Sequence, residues 1–166
     1  MYLEMTVFGF TLDSLASRPV VILKDAKEGN TVPIWLSSTE ALAIAAELIL
    51  WDSSGRSGRK DLMSQLMAQT GTEIGSISIE GVNDGIFTAL VKFIRDGVEV
   101  PVEVRPCEAI RAALKYKVPL LVAEEVVERA SVLALSDEEI ARENNARRFT
   151  EFLEKLDPAT LGKYPM

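Results

Sequence analysis

The chain has 166 residues, 48% of them hydrophobic and 26% charged, and its formal net charge is −7. A chain of this length can bury one core of useful size, and its acidic balance argues against a protein that coats nucleic acid, because such a protein needs a basic surface. The sequence contains no histidine, which excludes the Ser-His and Cys-His nucleophile pairs and the usual histidine ligands of zinc.

Alternating and apolar segments in the first part of the chain predict three β-strands followed by a helix. The predicted strands are residues 5–11, 19–24 and 31–36. Ser37 to Glu40 form a capping box, which predicts a helix from there to about residue 50. A polar segment, residues 52–60, predicts a flexible loop, and a short helix follows over residues 61–70 and ends at Gly71.

The same order of elements is predicted again further along the chain. The predicted strands are residues 74–80, 86–94 and 98–104. Asn83-Asp84-Gly85 predicts a turn, and Arg95-Asp96-Gly97 has the Asp-Gly signature of a β-hairpin. Pro106 is suited to the first position of the next helix, because its missing N–H would be unpaired there.

For the remainder of the chain the sequence predicts two short strands and two helical segments. These are strands at residues 119–122 and 132–135, a helical turn between them at residues 124–129, and a long helix from Ser136 toward Leu156. The apolar residues of that long helix recur at helical spacing, which predicts packing on the body of the protein or on a second subunit.

Two segments separated by 68 residues, the offset from Val32 to Val100, have closely similar sequences. Three features recur in register: Val32-Pro33 with Val100-Pro101, Glu40-Ala41 with Glu108-Ala109, and Ala45 with Ala113. The sequence therefore predicts an α+β protein built from a duplicated β-β-β-α unit. Its sheet should be mixed, mostly antiparallel and covered by helices. We assign residues 1–135 to this domain and residues 136–166 to a C-terminal helical tail.

Glu40 and Glu108 occupy matching positions in the two repeats, each in the first turn of a helix. If the repeats pair about a pseudo-twofold axis, the two carboxylates would face a shared cleft and hold Mg²⁺ or Mn²⁺, which prefer oxygen ligands. The alternative is that each glutamate only favours the positive end of its helix. Both interpretations stay open at the level of sequence.

Basic side chains cluster near the second of these helices. Arg111 and Lys115 lie one turn apart on one helical face, and Arg105 precedes the helix. They would bind a phosphate together with the helix N-terminus, or they would pair with Glu108 on a solvated face. Cys107 at the same helix start is either a reactive thiol or a small buried residue, and without histidine the second is favoured.

Five blocks of sequence, in this order and spacing, resemble the bifunctional nuclease domain family over about residues 3–130. They are Pro33-Ile34-Trp35 with Glu40-Ala41 and Ala43-Ile44-Ala45, Phe87-Thr88-Ala89-Leu90, Arg105-Pro106, Glu108-Ala109-Ile110, and Pro119 with Val122 to Val126. The chain departs from the family pattern in two places. It has Cys107-Glu108 where many members have Ser-Asp, and Arg59-Lys60-Asp61 where they have Thr-His-Asp.

The resemblance implies a nuclease that hydrolyses phosphodiester bonds in DNA, in RNA or in both, with a divalent metal. The candidate catalytic carboxylates are Glu40, Asp61, Glu103 and Glu108, and the candidate phosphate ligands are Arg105, Arg111 and Lys115. The alternative is a noncatalytic oligomeric binding or regulatory module that keeps the family fold. A homodimer or higher homo-oligomer is expected.

Two observations predict where the protein functions. The chain has a single cysteine, which suits a reducing cytoplasm. Its longest apolar stretches are far shorter than the roughly 20 residues that a membrane-spanning helix needs. We therefore expect a cytoplasmic protein without a membrane partner.

Overall fold

The structure is a computed structural model that describes residues 1–13, 16–27, 29–53 and 61–131. Seven strands and four helices lie in these ranges. In chain order they are β1 (Tyr2–Leu12), β2 (Pro19–Asp25), β3 (Thr31–Trp35), α1 (Ser38–Ser53), α2 (Leu62–Thr70), β4 (Glu73–Asn83), β5 (Ile86–Arg95), β6 (Val98–Val104), α3 (Pro106–Tyr116), β7 (Leu120–Ala123) and α4 (Glu124–Ser131).

All seven strands form one sheet in the order β3-β2-β1-β7-β4-β5-β6. Each repeat supplies an antiparallel three-stranded unit, β1 to β3 or β4 to β6. Strand β7 joins the two units, because it pairs antiparallel with β1 and parallel with β4. Strands β1 and β4 therefore run in opposite directions, as a pseudo-twofold relation between the repeats requires. This is the mixed, mostly antiparallel sheet that the sequence predicts.

The two hairpins of the second repeat have the tight turns expected from their Asp-Gly pairs. Asp84 and Gly85 have φ values of 50° and 77°, and Asp96 and Gly97 have values of 52° and 76°. Two successive residues with positive φ make a turn whose twist matches that of the flanking strands. These turns fix the register of β4, β5 and β6.

The helices α1 and α3 contact each other and carry the most closely matched buried residues of the two repeats. Ala41 and Ala109 are fully buried, and Ala45 and Ala113 are nearly so. They belong to one apolar core with buried residues of the strands and of α4. The recurring alanines in the sequence therefore belong to the core that the two repeats share.

The structure confirms the α+β class, the duplicated unit and the turns, and several elements are longer than the sequence predicts. Strand β1 begins at Tyr2 instead of residue 5, and strand β4 ends at Asn83 instead of residue 80. Helix α1 continues to Ser53 instead of ending near residue 50. The predicted strand at 132–135, the long helix from Ser136 and most of the predicted loop at 52–60 lie outside the described residues. Within the described ranges, no helix is long and apolar enough to cross a membrane.

Candidate functional site

A cleft of about 1060 Å³ opens where both repeats change from strand to helix. Its walls come from the N-terminal ends of α1 and α3, the β4–β5 turn, and the segment between β1 and β2. The charged residues that line it are Asp13, Arg18, Glu40, Asp84, Glu103 and Arg105. The cleft is thus built from equivalent parts of the two repeats, as their pseudo-twofold relation predicts.

Arg105 connects the two matching glutamates at this cleft. It is the N-cap of α3, with extended backbone angles of φ −69° and ψ 151°, and its side chain makes no capping hydrogen bond. Its Nη1 lies 3.4 Å from Oε1 of Glu40, and its Nη2 lies 3.1 Å from Oε1 of Glu108. The Arg105 side chain nevertheless stays 68% exposed, so a ligand in the cleft has access to it.

Glu40 is held in place by the capping box of α1. The Ser37 N–H donates a hydrogen bond of 2.9 Å to Oε2 of Glu40, and the Glu40 N–H donates one of 3.2 Å to Oγ of Ser37. Each member of the box therefore satisfies a backbone donor that the helix start leaves unpaired. One carboxylate oxygen of Glu40 caps the helix, and the other faces Arg105.

The series of ion pairs from Glu40 through Arg105 to Glu108 continues along α3. Arg111 lies between Glu108 and Glu47, with N···O separations of 4.0 Å and 3.9 Å. Sequence reasoning did not include Glu47 among the site residues. In the sequence, Glu47 stands out as the single acid that interrupts the apolar stretch of α1. A charge at such a position is seldom buried without a partner, so a basic partner from another element was to be expected.

Asp61 and Lys115 form a separate pair. The Lys115 ammonium binds the Asp61 carboxylate, which also accepts a hydrogen bond of 3.2 Å from the Ser64 N–H and so caps α2. The Lys115 ammonium has the largest effect and the Ser64 hydrogen bonds the next, and they lower the pKa of Asp61 to about 2. Its carboxylate is therefore charged at neutral pH and already bound to Lys115 and to the Ser64 N–H.

Cys107 is a packing residue in the first turn of α3. Its side chain is buried, and Sγ lies 3.7 Å from the Glu40 carbonyl oxygen. Burial, together with the nearby carboxylates of Glu40 and Glu108, raises the pKa of the thiol to about 11. The thiol is thus protonated at neutral pH, in agreement with a small buried residue and not with a nucleophile.

The structure divides the candidate site residues into three groups. Glu40, Glu103 and Arg105 line the cleft. Glu108 and Arg111 continue from Arg105 along the contact between α1 and α3. Asp61 and Lys115 form their own pair and do not line the cleft.

The arrangement around Arg105 bears on the predicted Mg²⁺ or Mn²⁺ site. A divalent cation held by Glu40 and Glu108 would have to displace the guanidinium that contacts both carboxylates. Over the described ranges, no three His, Cys, Asp or Glu side chains are grouped so that they could hold a metal ion. The donor set in this conformation therefore does not fit a divalent cation.

Comparisons with known proteins agree with the architecture. The profile of the bifunctional nuclease domain matches residues 21–134. Two Mycobacterium tuberculosis proteins are similar to this chain: the Uncharacterized protein MT1877 of strain CDC 1551 / Oshkosh, and the Uncharacterized protein Rv1829 of strain ATCC 25618 / H37Rv. Each is 32% identical over 160 residues, which cover 93% of this chain and 95% of the relative. The chain therefore belongs to the bifunctional nuclease domain family.

Proposed function

We propose that this protein hydrolyses phosphodiester bonds of DNA or RNA in the cleft between the two repeats. Family membership supports the reaction class. The observation that supports the location is the presence of an exposed arginine and two carboxylates in one cleft, namely Arg105, Glu40 and Glu103. A nuclease needs a cation for the phosphate and a base for the attacking water, and these three side chains supply both.

In this proposal Arg105 binds the phosphate. A guanidinium offers several donors in a planar arrangement that matches phosphate oxygens. Glu40 and Glu108 hold the guanidinium from two sides, and the capping box fixes Glu40. These two glutamates therefore act as positioning residues, because they orient Arg105 before the substrate arrives.

Glu103 is the proposed general base. It lies two residues before Arg105, is exposed at the cleft, and has no ion-pair partner among the described residues. Its carboxylate takes a proton from water while the water oxygen forms a bond to phosphorus. The P–O bond to the leaving group then breaks, and that oxygen takes a proton from solvent. Arg105 stabilises the charge that develops on the phosphate oxygens.

The requirement for Mg²⁺ or Mn²⁺ stays a prediction. Because Arg105 contacts both Glu40 and Glu108, the proposed reaction uses no metal ion in any step. Activity that depends on a divalent ion would imply that Arg105 leaves the two carboxylates when the ion binds. The assay below therefore includes each metal alone and a chelator.

The test is a cleavage assay with labelled single-stranded DNA, duplex DNA and RNA, in Mg²⁺, in Mn²⁺ and in EDTA. Glu103→Gln removes the base without changing the size of the side chain and should lower the rate by about 10²-fold to 10⁴-fold. The matched control is Glu99→Gln, an exposed glutamate on the same strand that does not line the cleft. The control should cleave at the wild-type rate.

Two results would contradict this proposal. Cleavage that is undiminished in Glu103→Gln would remove that residue as the base. Absence of cleavage by the wild-type protein under every condition would remove the nuclease itself. In the second case, circular dichroism of the same sample must show a folded protein.

One observation favours the alternative, a noncatalytic binding or regulatory module. The charged residues of the cleft are four acids and two arginines, and an acidic lining repels a polyanion. A folded wild-type protein that neither cleaves nor binds the labelled nucleic acids would support this alternative. Both candidates include a cytoplasmic location and a homo-oligomer as parts of the proposal.

A further inference from the structure

The cleft between the repeats has an apolar and aromatic wall that the proposed reaction does not use. Trp35 at the end of β3 lines the cleft, and so do Ile86 and Phe87 at the start of β5. Phosphate binding and proton transfer need charged side chains, and Arg105 and Glu103 supply them. Trp35 is half-buried, so part of its indole ring remains accessible to a ligand. The cleft therefore offers a ligand both a charged and an aromatic surface.

Trp35 is the counterpart of Glu103 in the sequence repeat. The offset of 68 residues that relates Val32 to Val100 also relates Trp35 to Glu103. Both residues lie near the ends of equivalent strands, β3 and β6, and both line the cleft. The first repeat thus places an indole where the second places a carboxylate. In the cleft, the second repeat is equipped to act on a phosphate, and the first is equipped to bind a flat, uncharged part of the same ligand.

The ring of Trp35 is held in one orientation. Its Nε1–H donates a hydrogen bond of 2.9 Å to Oδ2 of Asp13. The side chain also packs against Val20 and Ile22, two buried residues of the neighbouring strand β2. An aromatic surface that is already fixed loses little conformational entropy when a ligand binds to it. Trp35 is therefore suited to bind a planar group by stacking.

We propose that Trp35 stacks on a base of the substrate, and that the substrate of the cleft is single-stranded nucleic acid. The inference rests on the proposed function, because it assumes that a nucleic-acid phosphate binds at Arg105. Every base has a π-face that stacks on an aromatic side chain. In a duplex the bases are paired and stacked on one another, and one of them reaches a protein side chain only after it leaves the stack. A single strand presents its bases without that cost.

The charge and size of the cleft favour a single strand over a duplex. Its charged residues are four acids and two arginines, so it has few cations for the phosphates that dominate the affinity for duplex DNA. Stacking adds affinity that needs no positive charge. The cleft volume of about 1060 Å³ is comparable with pockets that enclose a drug-sized ligand, which reach about 1000 Å³. One nucleotide with its base turned toward Trp35 therefore has room in the cleft.

The first test measures stacking by tryptophan fluorescence, and it does not depend on cleavage. The chain has two tryptophans, Trp35 and Trp51, so Trp51→Phe leaves Trp35 as the reporter, and Glu103→Gln in the same protein prevents consumption of the probe. The probes are single-stranded DNA and RNA of about eight nucleotides, a length typical of single-strand sites, and a duplex of the same sequence. The single strands should quench Trp35, and the duplex should bind at least about tenfold more weakly.

The second test replaces the ring and measures the affinity for a labelled single strand by fluorescence anisotropy. Trp35→Leu keeps an apolar side chain but removes the ring, and it should weaken binding about 5-fold to 150-fold. Trp35→Phe keeps an aromatic face and loses only the hydrogen bond to Asp13, so it should retain most of the affinity. The matched control is Phe8→Leu, because Phe8 is 48% exposed and does not line the cleft. It should bind as the wild type does, and urea unfolding checks that each variant is folded.

The outcomes separate this inference from the nuclease proposal. A protein that binds single strands through Trp35 but cleaves none of them would remove the nuclease and support the base-binding role. A protein that cleaves single strands at the wild-type rate after Trp35→Leu would keep the nuclease and overturn the base-binding role. Equal affinity of the wild type for the single strand and the duplex, or no quenching of Trp35 by either, would also overturn it.

Discussion

Asp61 combines two stabilising contacts on one carboxylate. Oδ1 accepts from the Ser64 N–H and caps α2, and Oδ2 binds the Lys115 ammonium of α3. Because both contacts favour the charged form, the pKa of Asp61 falls from 3.8 to about 2. Between these two pH values the unfolded chain binds the proton more tightly than the folded protein does. Stability from this residue is therefore present above about pH 4 and is lost as the pH falls through about 2.

We predict that the coupling free energy between Asp61 and Lys115 becomes smaller as the pH falls from about 4 to about 2. A double-mutant cycle of Asp61→Asn and Lys115→Met isolates the pair, and asparagine keeps the helix cap. Urea unfolding should give a coupling of no more than about 1 kcal/mol at pH 7, because the pair is partly exposed. The coupling should be smaller at pH 3 and nearly absent below about pH 2. A coupling that does not change with pH would contradict the ionic contact.

At the residue scale, the sequence predicts which carboxylates meet but not what lies between them. Glu40 and Glu108 both contact the guanidinium of Arg105. They occupy equivalent positions of the repeat, and the repeat is visible in the sequence. The conformation of Arg105 is not visible there, since an arginine beside two acids can extend into solvent or fold back on either. Glu47 was missed for a similar reason, because its partner Arg111 comes from a helix distant in sequence.

The equivalent buried positions of α1 and α3 carry small side chains. Ala41 and Ala109 are fully buried at equivalent positions, and Sγ of Cys107 approaches the α1 backbone to 3.7 Å from the Glu40 carbonyl oxygen. A close-packed contact of this kind leaves little space for additional carbon atoms. The identity of alanine at these positions is therefore a structural requirement and not a consequence of helix propensity alone.

We predict that Ala41→Leu destabilises the protein by about 1–3 kcal/mol, because the added carbons must displace neighbours in a filled core. Ala109→Leu should behave alike, since it is the equivalent residue of the second repeat. The control is Ala46→Leu, an exposed position on the same helix, which should change stability by less than about 0.5 kcal/mol. Denaturant unfolding measures all three. Equal stability of Ala41→Leu and Ala46→Leu would show that the helices are not close-packed there.

At the element scale, two features could not be derived from the local pattern. The sequence predicts a strand near Pro119, but not that this strand, β7, lies between β1 and β4 in the middle of the sheet. Strand order depends on contacts between segments that are far apart in the chain, and a four-residue apolar run carries no such information. Likewise, the boundaries of α2 are marked by Asp61 and Gly71, but the ion pair that joins its start to Lys115 of α3 is not visible in the local sequence.

Across the whole molecule, the two repeats share a backbone plan and differ in chemistry at the cleft. Ser37 precedes α1 and caps it together with Glu40. Arg105 holds the equivalent place before α3, where it makes no capping hydrogen bond. The second repeat thus has an exposed cation at the position where the first has a helix cap. This difference is expected if the place of Arg105 is set by function and not by folding.

Arg105→Ser tests that interpretation, because it gives the second repeat the capping arrangement of the first. The new hydroxyl and Glu108 would form a capping box, worth about 0.5–2 kcal/mol relative to an uncapped helix start, which should offset the loss of the exposed ion pairs. We therefore predict unchanged or slightly higher stability in urea unfolding, together with a loss of cleavage of about 10²-fold or more. A variant that unfolds more easily would mean that the arginine bridges stabilise the contact between the repeats. A stable variant that still cleaves at the wild-type rate would mean that the substrate phosphate is bound elsewhere.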